Sequence, residues 1–149
     1  MMVKDNKLLL SANIVLTARL LVKSVNNHFA NSGVNITMEQ LEILFHIVSN
    51  SEKQIIQTEV ANCMLKNKSA IVKSVDILER KNYVRRLSTS DDRRKNILEI
   101  TPEGNKIMKE ASKIFNHIKH KYIEQLKNED IETCNKVLDK IRKSIDSIE

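Results

Sequence analysis

Only two glycines and one proline interrupt the 149 residues of this chain. These are the residues that break helices most strongly, so a chain nearly free of them runs into long helices and lacks the turns of an all-β fold. The length, 1–149, suits a single domain large enough to bury a core. A hydrophobic content of 41% is ordinary for a globular protein.

The apolar residues fall at helical spacing. Val15, Ala18, Val22, Val25 and Phe29 recur at steps of three and four between about Lys7 and Asn31, and Ile14, Leu20 and Leu21 add a second apolar face. A helix apolar on two sides packs against two neighbours, here its own domain and a partner subunit. Gly33 suits the left-handed residue that ends such a helix. Thr37 reads as the N-cap of a second helix with Leu41, Leu44, Ile47 and Val48 on its buried face. A one-pair strand at Gln54–Gln57, a third helix over Thr58–Leu65 and a fourth from Asn67 or Lys68 to Lys81 follow, with Asn82 suited to a left-handed turn. Tyr83–Thr89 and Asn96–Thr101 read as strands joined by a charged tip, Ser90–Lys95. Thr101 and Pro102 then cap and open a fifth helix to about Leu126, with Ile107, Ala111, Ile114 and Ile118 along one side. Asn128 caps a last helix, on which Ile131, Cys134, Leu138, Ile141, Ile145 and Ile148 keep a heptad-like spacing. The chain is expected to be mainly α with a small β wing. A lobe at 37–101 is flanked by dimerisation helices at 7–31 and 102–149.

Charge is concentrated in one stretch. Residues 66–95 hold ten Lys/Arg against four Asp/Glu, which is the whole net excess of +6; the rest of the chain balances fifteen against fifteen. A localised basic excess is the electrostatic footprint of a nucleic-acid binder. Aromatics are only 3% and Trp is absent, which removes base-stacking platforms and the single-strand modules built on them.

The third and fourth helices, joined by Leu65-Lys66-Asn67, have helix-turn-helix order, and the hairpin after them reads as a wing. On the fourth helix Ile71, Val75 and Leu78 are expected to be buried, with Lys68, Ser69, Val72, Lys73 and Asp76 turned outward. The N-terminal part of such a helix enters the major groove. Lysines there reach phosphates or guanine edges, Ser69 can hydrogen-bond, and Ala70 can meet a thymine methyl. At the tip, an Arg can enter the narrow minor groove of A·T-rich DNA. Asp92 and Arg94 project to one side of a strand edge, so Asp92 is placed to orient the Arg94 guanidinium. The DNA-facing set is Lys68, Ser69, Ala70, Lys73, Arg86, Asp92, Arg93, Arg94 and Lys95.

The stretch DDRRKNILEITPEG, Asp91 to Gly104, closely resembles the wing and following helix start of MarR-family regulators. Asp92-Arg93-Arg94 matches the family's Asp-x-Arg, Ile97 to Ile100 its apolar strand, and Thr101 and Gly104 its Thr and following Gly. The preceding KNKSAIVKSVDILERKNYVRR resembles the family's recognition helix and first wing strand. The resemblance implies a homodimer held by the first, fifth and sixth helices, a palindromic duplex as target, and often a small-molecule or oxidant signal. Two departures stand out. Asn82 replaces the Gly usual after the fourth helix, and Leu65-Lys66 replaces a Gly and an apolar residue in the helix-turn-helix turn.

Family members often bind anionic aromatic effectors between the dimer zone and the DNA-binding lobe. By helix order the lining here would be His28, Phe29, Leu44, Phe45, His46 and His117. His117 and His120 are too few for a metal site, so no metal or cofactor is expected. Cys63 and Cys134 form no disulfide framework and read as small buried apolar residues. Lys4 and Lys7 precede Leu8–Leu10 as in a signal peptide, but the helical period runs on through Ser11, Asn13, Thr17 and Arg19. No stretch is expected to reach the ~20 apolar residues of a membrane span, so the protein reads as cytoplasmic with no membrane partner. Phosphate-loop, nucleophile-elbow and metal motifs are missing, which argues against an enzyme. The alternative is a helical interaction or phosphotransfer protein with a basic surface, against which the hairpin at 83–101 counts.

Overall fold

The computed structural model of the protein describes residues 6–88 and 96–148. The chain divides into two compact units, Met1–Phe115 and Asn116–Glu149. Six helices and one two-stranded antiparallel sheet make up the described residues.

In the first unit, α1 (Asn6–Asn31) ends as the sequence indicates, with Gly33 at φ 71°. The chain then turns into α2 (Met38–Ser49) through a reciprocal cap. The Gln40 amide donates to the Thr37 hydroxyl, and the Thr37 amide donates to the Gln40 side-chain oxygen, both at 3.2 Å. The Met38 amide donates to Asn26 Oδ1 at 2.8 Å, which ties α2 back to α1. A single 3₁₀ turn (Ser51–Lys53) leads to the one-pair strand, where Ile56 bridges Ile97. Then come α3 (Gln57–Cys63) and α4 (Lys68–Arg80).

Strands β1 (Val84–Ser88) and β2 (Asn96–Ile100) pair in register from Val84 opposite Ile100 to Ser88 opposite Asn96. Val84 and Leu98 face the helices and are buried. The core under them comes from Phe29, Leu41, Ile43, Leu44, Ile47, Val60, Ile71, Val75 and Leu78, each almost completely removed from solvent. Each such side chain contributes about 1.5–3 kcal/mol of transfer free energy. The fold is a winged helix.

The two chain ends differ from expectation in detail. On α1 only Val25 and Phe29 of the five-residue seam are buried, while Val15 and Val22 stay exposed with Leu9, Leu16, Leu20 and Leu21. An 18-residue stretch within Leu9–Asn31 reaches a mean hydropathy of 1.2 with 6% of it buried. This corrects the expectation that no stretch is long and apolar enough for a membrane span: by length and composition α1 qualifies. Helix α5 (Pro102–Ile123) begins at the expected Pro102 and stops before Leu126.

In the second unit α6 (Asn128–Asp146) starts one residue early. Lys127 occupies the cap position, and Asn128 is already helical. None of the α6 seam residues is buried. Both cysteines are exposed, contrary to expectation. Cys63 lies off the Val60, Ala61 and Met64 stripe that α3 buries, and Cys134 shares the openness of all of α6.

Candidate nucleic-acid interface

The α3–α4 turn is built from a left-handed residue and a cap. Leu65 has φ 50°, and the Lys66 amide donates to the Ala61 carbonyl at 3.0 Å, which closes α3 in a Schellman-like end. Asn67 caps α4, its Oδ1 accepting from the Ala70 amide at 2.7 Å and from the Ser69 hydroxyl at 2.9 Å. The first turn of α4 carries no acid and begins with Lys68. A lysine at the positive end of a helix is unfavourable for an isolated chain, so this terminus is an unneutralised anion-attracting surface.

Helix α4 divides by face as its spacing requires. Ile71, Val75 and Leu78 are buried, and Lys68, Ser69, Val72, Lys73 and Asp76 are exposed. Ala70 is half-buried beside Ser69. Because the Ser69 hydroxyl already donates to Asn67, its lone pairs are what it offers a base amino group.

The basic segment is partly neutralised from within. Lys66 pairs with Glu39 of α2 at 3.2 Å, and Arg85 with Glu99 across the sheet at 2.5 Å. Lys81 donates to the carbonyl and side chain of Asn35, both at 2.9 Å, and its burial pushes its pKa down. Among the described residues of the segment, Lys68, Lys73, Arg80 and Lys81 have no carboxylate partner. The cations without a carboxylate among these described residues therefore lie on α4 and at its C-cap, Lys81.

Arg86 sits differently from the other expected DNA-facing residues. Its side chain is only 18% exposed and bonds three acceptors: Asp76 at 2.6 Å, Glu79, and Gln57 Oε1 at 3.2 Å. It clamps β1 to α3 and α4. Its direction follows from register, since Arg86 lies opposite the buried Leu98. The tip residues Asp92, Arg93, Arg94 and Lys95 lie outside the described residues.

Two supports were not visible in the sequence. Glu39 accepts from the Ser74 hydroxyl at 2.5 Å with one oxygen and pairs with Lys66 through the other, joining α2, the helix-turn-helix turn and α4. The Ser74 hydrogen bond, with Lys66 adding to it, holds the Glu39 carboxyl below its ordinary range against an opposing desolvation. At the wing's base, Thr101 donates through its hydroxyl to the Asn82 carbonyl at 2.6 Å and accepts from the Gly104 amide at 2.9 Å. Asn82 itself is left-handed at φ 59°.

The expected effector residues differ in burial within their own units. Phe29 and Leu44 are packed in the core, Phe45 is exposed, and the exposed His28 ring bonds the Ser24 carbonyl at 2.8 Å. His46 is half-buried, and His117 is exposed in the second unit. A cleft of about 540 Å³ lies between the end of α1, the α1–α2 loop, Ile77 of α4 and the α4 C-cap Lys81.

The MarR family profile matches residues 32–95, which span the helix-turn-helix and the first wing strand, β1, and end before β2. The transcriptional regulator BldR from Sulfolobus solfataricus is 32% identical, covering 94% of this chain and 99% of its own, with a TM-score of 0.75. The chain belongs to the MarR family. The MarR-family fold is shared with AbsC, a MarR family transcriptional regulator from Streptomyces coelicolor, at 21% identity, 99% coverage of both chains and a TM-score of 0.83. It is shared too with S. aureus MepR in a complex with DNA, at 20% identity, 90% and 96% coverage and a TM-score of 0.82. No curated protein sequence matches the chain. Within this MarR-type lobe the Asn82–Thr101–Gly104 hydrogen bonds fix the base of the wing at the end of α4, and Arg86 adds the clamp to the helix itself.

Proposed function

We propose that this MarR-family chain is a cytoplasmic transcriptional regulator that binds a palindromic duplex as a homodimer, acts as a repressor and performs no catalysis. The observation that carries the reading is the open, acid-free N-terminal turn of α4. Lys68 and Lys73 there have no carboxylate partner among the described residues, and a wing is fixed beside them. Helix α4 enters the major groove through Lys68, Ser69, Ala70 and Lys73. At the tip, Arg94, oriented by Asp92 and flanked by Arg93 and Lys95, reaches the adjacent minor groove. Arg86 serves as the clamp at the wing's base, a role its three acceptors support.

The exposed apolar residues of α1 support the dimer. Leu9, Leu16, Leu20 and Val22 need a cover. A bilayer would have to take Arg19 and Lys23 near the centre of that stretch, at about 2.5–3.5 kcal/mol each on insertion scales. A second protein surface leaves those charges in water. A small anionic or aromatic effector would act by biasing the spacing of the two lobes.

Selection from a random duplex pool with the purified protein tests the reading. An inverted repeat with half-sites about one helical turn (~34 Å) apart is expected. Equal binding of single- and double-stranded probes would overturn it. Arg94→Ala should lose affinity with folding intact.

A further inference from the structure

Leu65 stands in the helix-turn-helix turn with 94% of its surface exposed, more than any other large apolar side chain among the described residues. It also holds a left-handed backbone at φ 50°, a conformation that glycine adopts freely and a leucine resists. The free protein thus carries two unfavourable features at one residue: strain in the main chain and an apolar side chain in water. Glycine would remove both. Strained residues of this kind persist where they serve a site.

The surroundings say what the site meets. Leu65 lies three residues before Lys68, within about 11 Å along even a fully extended chain, and is followed by Lys66 and the α4 cap Asn67. The turn is tied at Lys66, whose side chain pairs with Glu39 and whose amide donates to the Ala61 carbonyl at 3.0 Å. An exposed apolar group three residues before an unneutralised helix N-terminus is within reach of a ligand that this terminus attracts. Val72, exposed on the same α4 face as Lys68, continues the apolar character.

We infer that Leu65 is a DNA-contact residue, packing its side chain against apolar groups of the duplex beside α4. This rests on the proposed DNA binding. The chemistry it recognises is hydrocarbon: a thymine 5-methyl group, or the CH edge of a deoxyribose. Either removes the leucine from water only in the complex, so its transfer free energy enters the affinity while its strain is borne by the free protein.

The experiment uses the full-length protein and the inverted-repeat duplex obtained by selection, in two forms, one with thymidine and one with deoxyuridine throughout. Leu65→Gly is expected to bind the thymidine duplex about five- to tenfold more weakly, as half-burial of a leucine predicts. Its Tm should be equal to or above the parent's, because the left-handed strain is gone. Leu65→Met, which keeps an apolar side chain of similar volume, should bind within about twofold of the parent. If the parent loses affinity on deoxyuridine and Leu65→Gly does not, the partner is a thymine methyl; if both respond alike, it is the sugar. Leu65→Gly binding as tightly as the parent overturns the inference. So does a loss shared by Leu65→Met, which would assign the effect to turn geometry, or a loss accompanied by a lower Tm. A parent protein that fails to bind any duplex would instead sink the DNA-binding reading itself.

Discussion

A Cβ atom on Gly104 would stand 2.0 Å from the carbonyl oxygen of Tyr83. That carbonyl is fixed by the Thr101 amide at 3.1 Å, so main chain meets main chain at the start of α5 and neither side can yield. Gly104→Ala is therefore expected to lower stability by about 3 kcal/mol or more, at the upper end of overpacking costs. Urea denaturation measures it. A change below about 0.5 kcal/mol, the usual range of a surface substitution, would show that the approach is not rigid.

Arg86 and Lys68 are expected to part company on substitution. Arg86→Ala strips three acceptors of their donor and leaves Asp76 and Glu79 facing each other, at about 1.5–3 kcal/mol for a charged hydrogen-bonded group of this burial. Arg86→Lys restores charge without the fork and should recover only part of that. Thermal denaturation with and without DNA distinguishes a clamp from a DNA-binding side chain. A stable Arg86→Ala variant with weak binding would reassign the residue to the interface.

Lys68→Ala and Lys73→Ala should leave Tm within error of the parent, because both side chains are exposed and no described carboxylate pairs with them. Binding should weaken. The slope of log K against log salt should become shallower by about 0.9 for each phosphate that the variant no longer neutralises. An unchanged slope would remove these lysines from the phosphate-binding set.

Leu20→Glu places a charge on the exposed apolar face of α1, outside the core of its own unit. Sedimentation should show the parent as a dimer and the variant shifted to monomer at the same concentration, with helical circular dichroism retained. A variant that stays dimeric would put the interface elsewhere.

Glu39 sets an acid-side dependence. Its carboxyl, bonded by Ser74 and then Lys66, titrates below the ordinary value of 4.5 in the folded protein. The charged form is favoured by folding, so its stabilisation is complete above the unfolded value and is lost as pH falls through the lowered one. Glu39→Gln should therefore be less stable than the parent at neutral pH, with the gap closing in acid. A gap independent of pH would mean that the Ser74 bond acts without the charge.

Much of the fold was legible because it follows from local rules. The scarcity of breakers, the 3–4 spacing, Thr37, Gly33, Asn82 and the Thr101-Pro102 pair each acts within a few residues, and each helix and strand lies close to where these signals put it. The exposed side of α4 was legible for the same reason, since one face of a helix is a matter of spacing. What escaped was long-range. Arg86 reads in sequence as one more cation of a basic run, and only the pairing of β1 with β2 turns it onto Asp76 and Glu79. The exposure of Cys63 likewise depends on which stripe α3 buries, and two turns of sequence cannot reveal that.

The sequence alone determined the order of elements, their ends, and the single stretch in which positive charge gathers. These are consequences of backbone propensity and composition, which act over one or two helical turns. Tertiary structure decided which charges of that stretch are used internally and which stay open. An ion pair needs two side chains within about 4 Å, and the chain's path alone sets which residues distant in sequence come that close. That is why Glu39 meets Ser74 and Lys66, Arg86 is withdrawn, and Lys68 and Lys73 are left facing outward beside a strained, exposed Leu65.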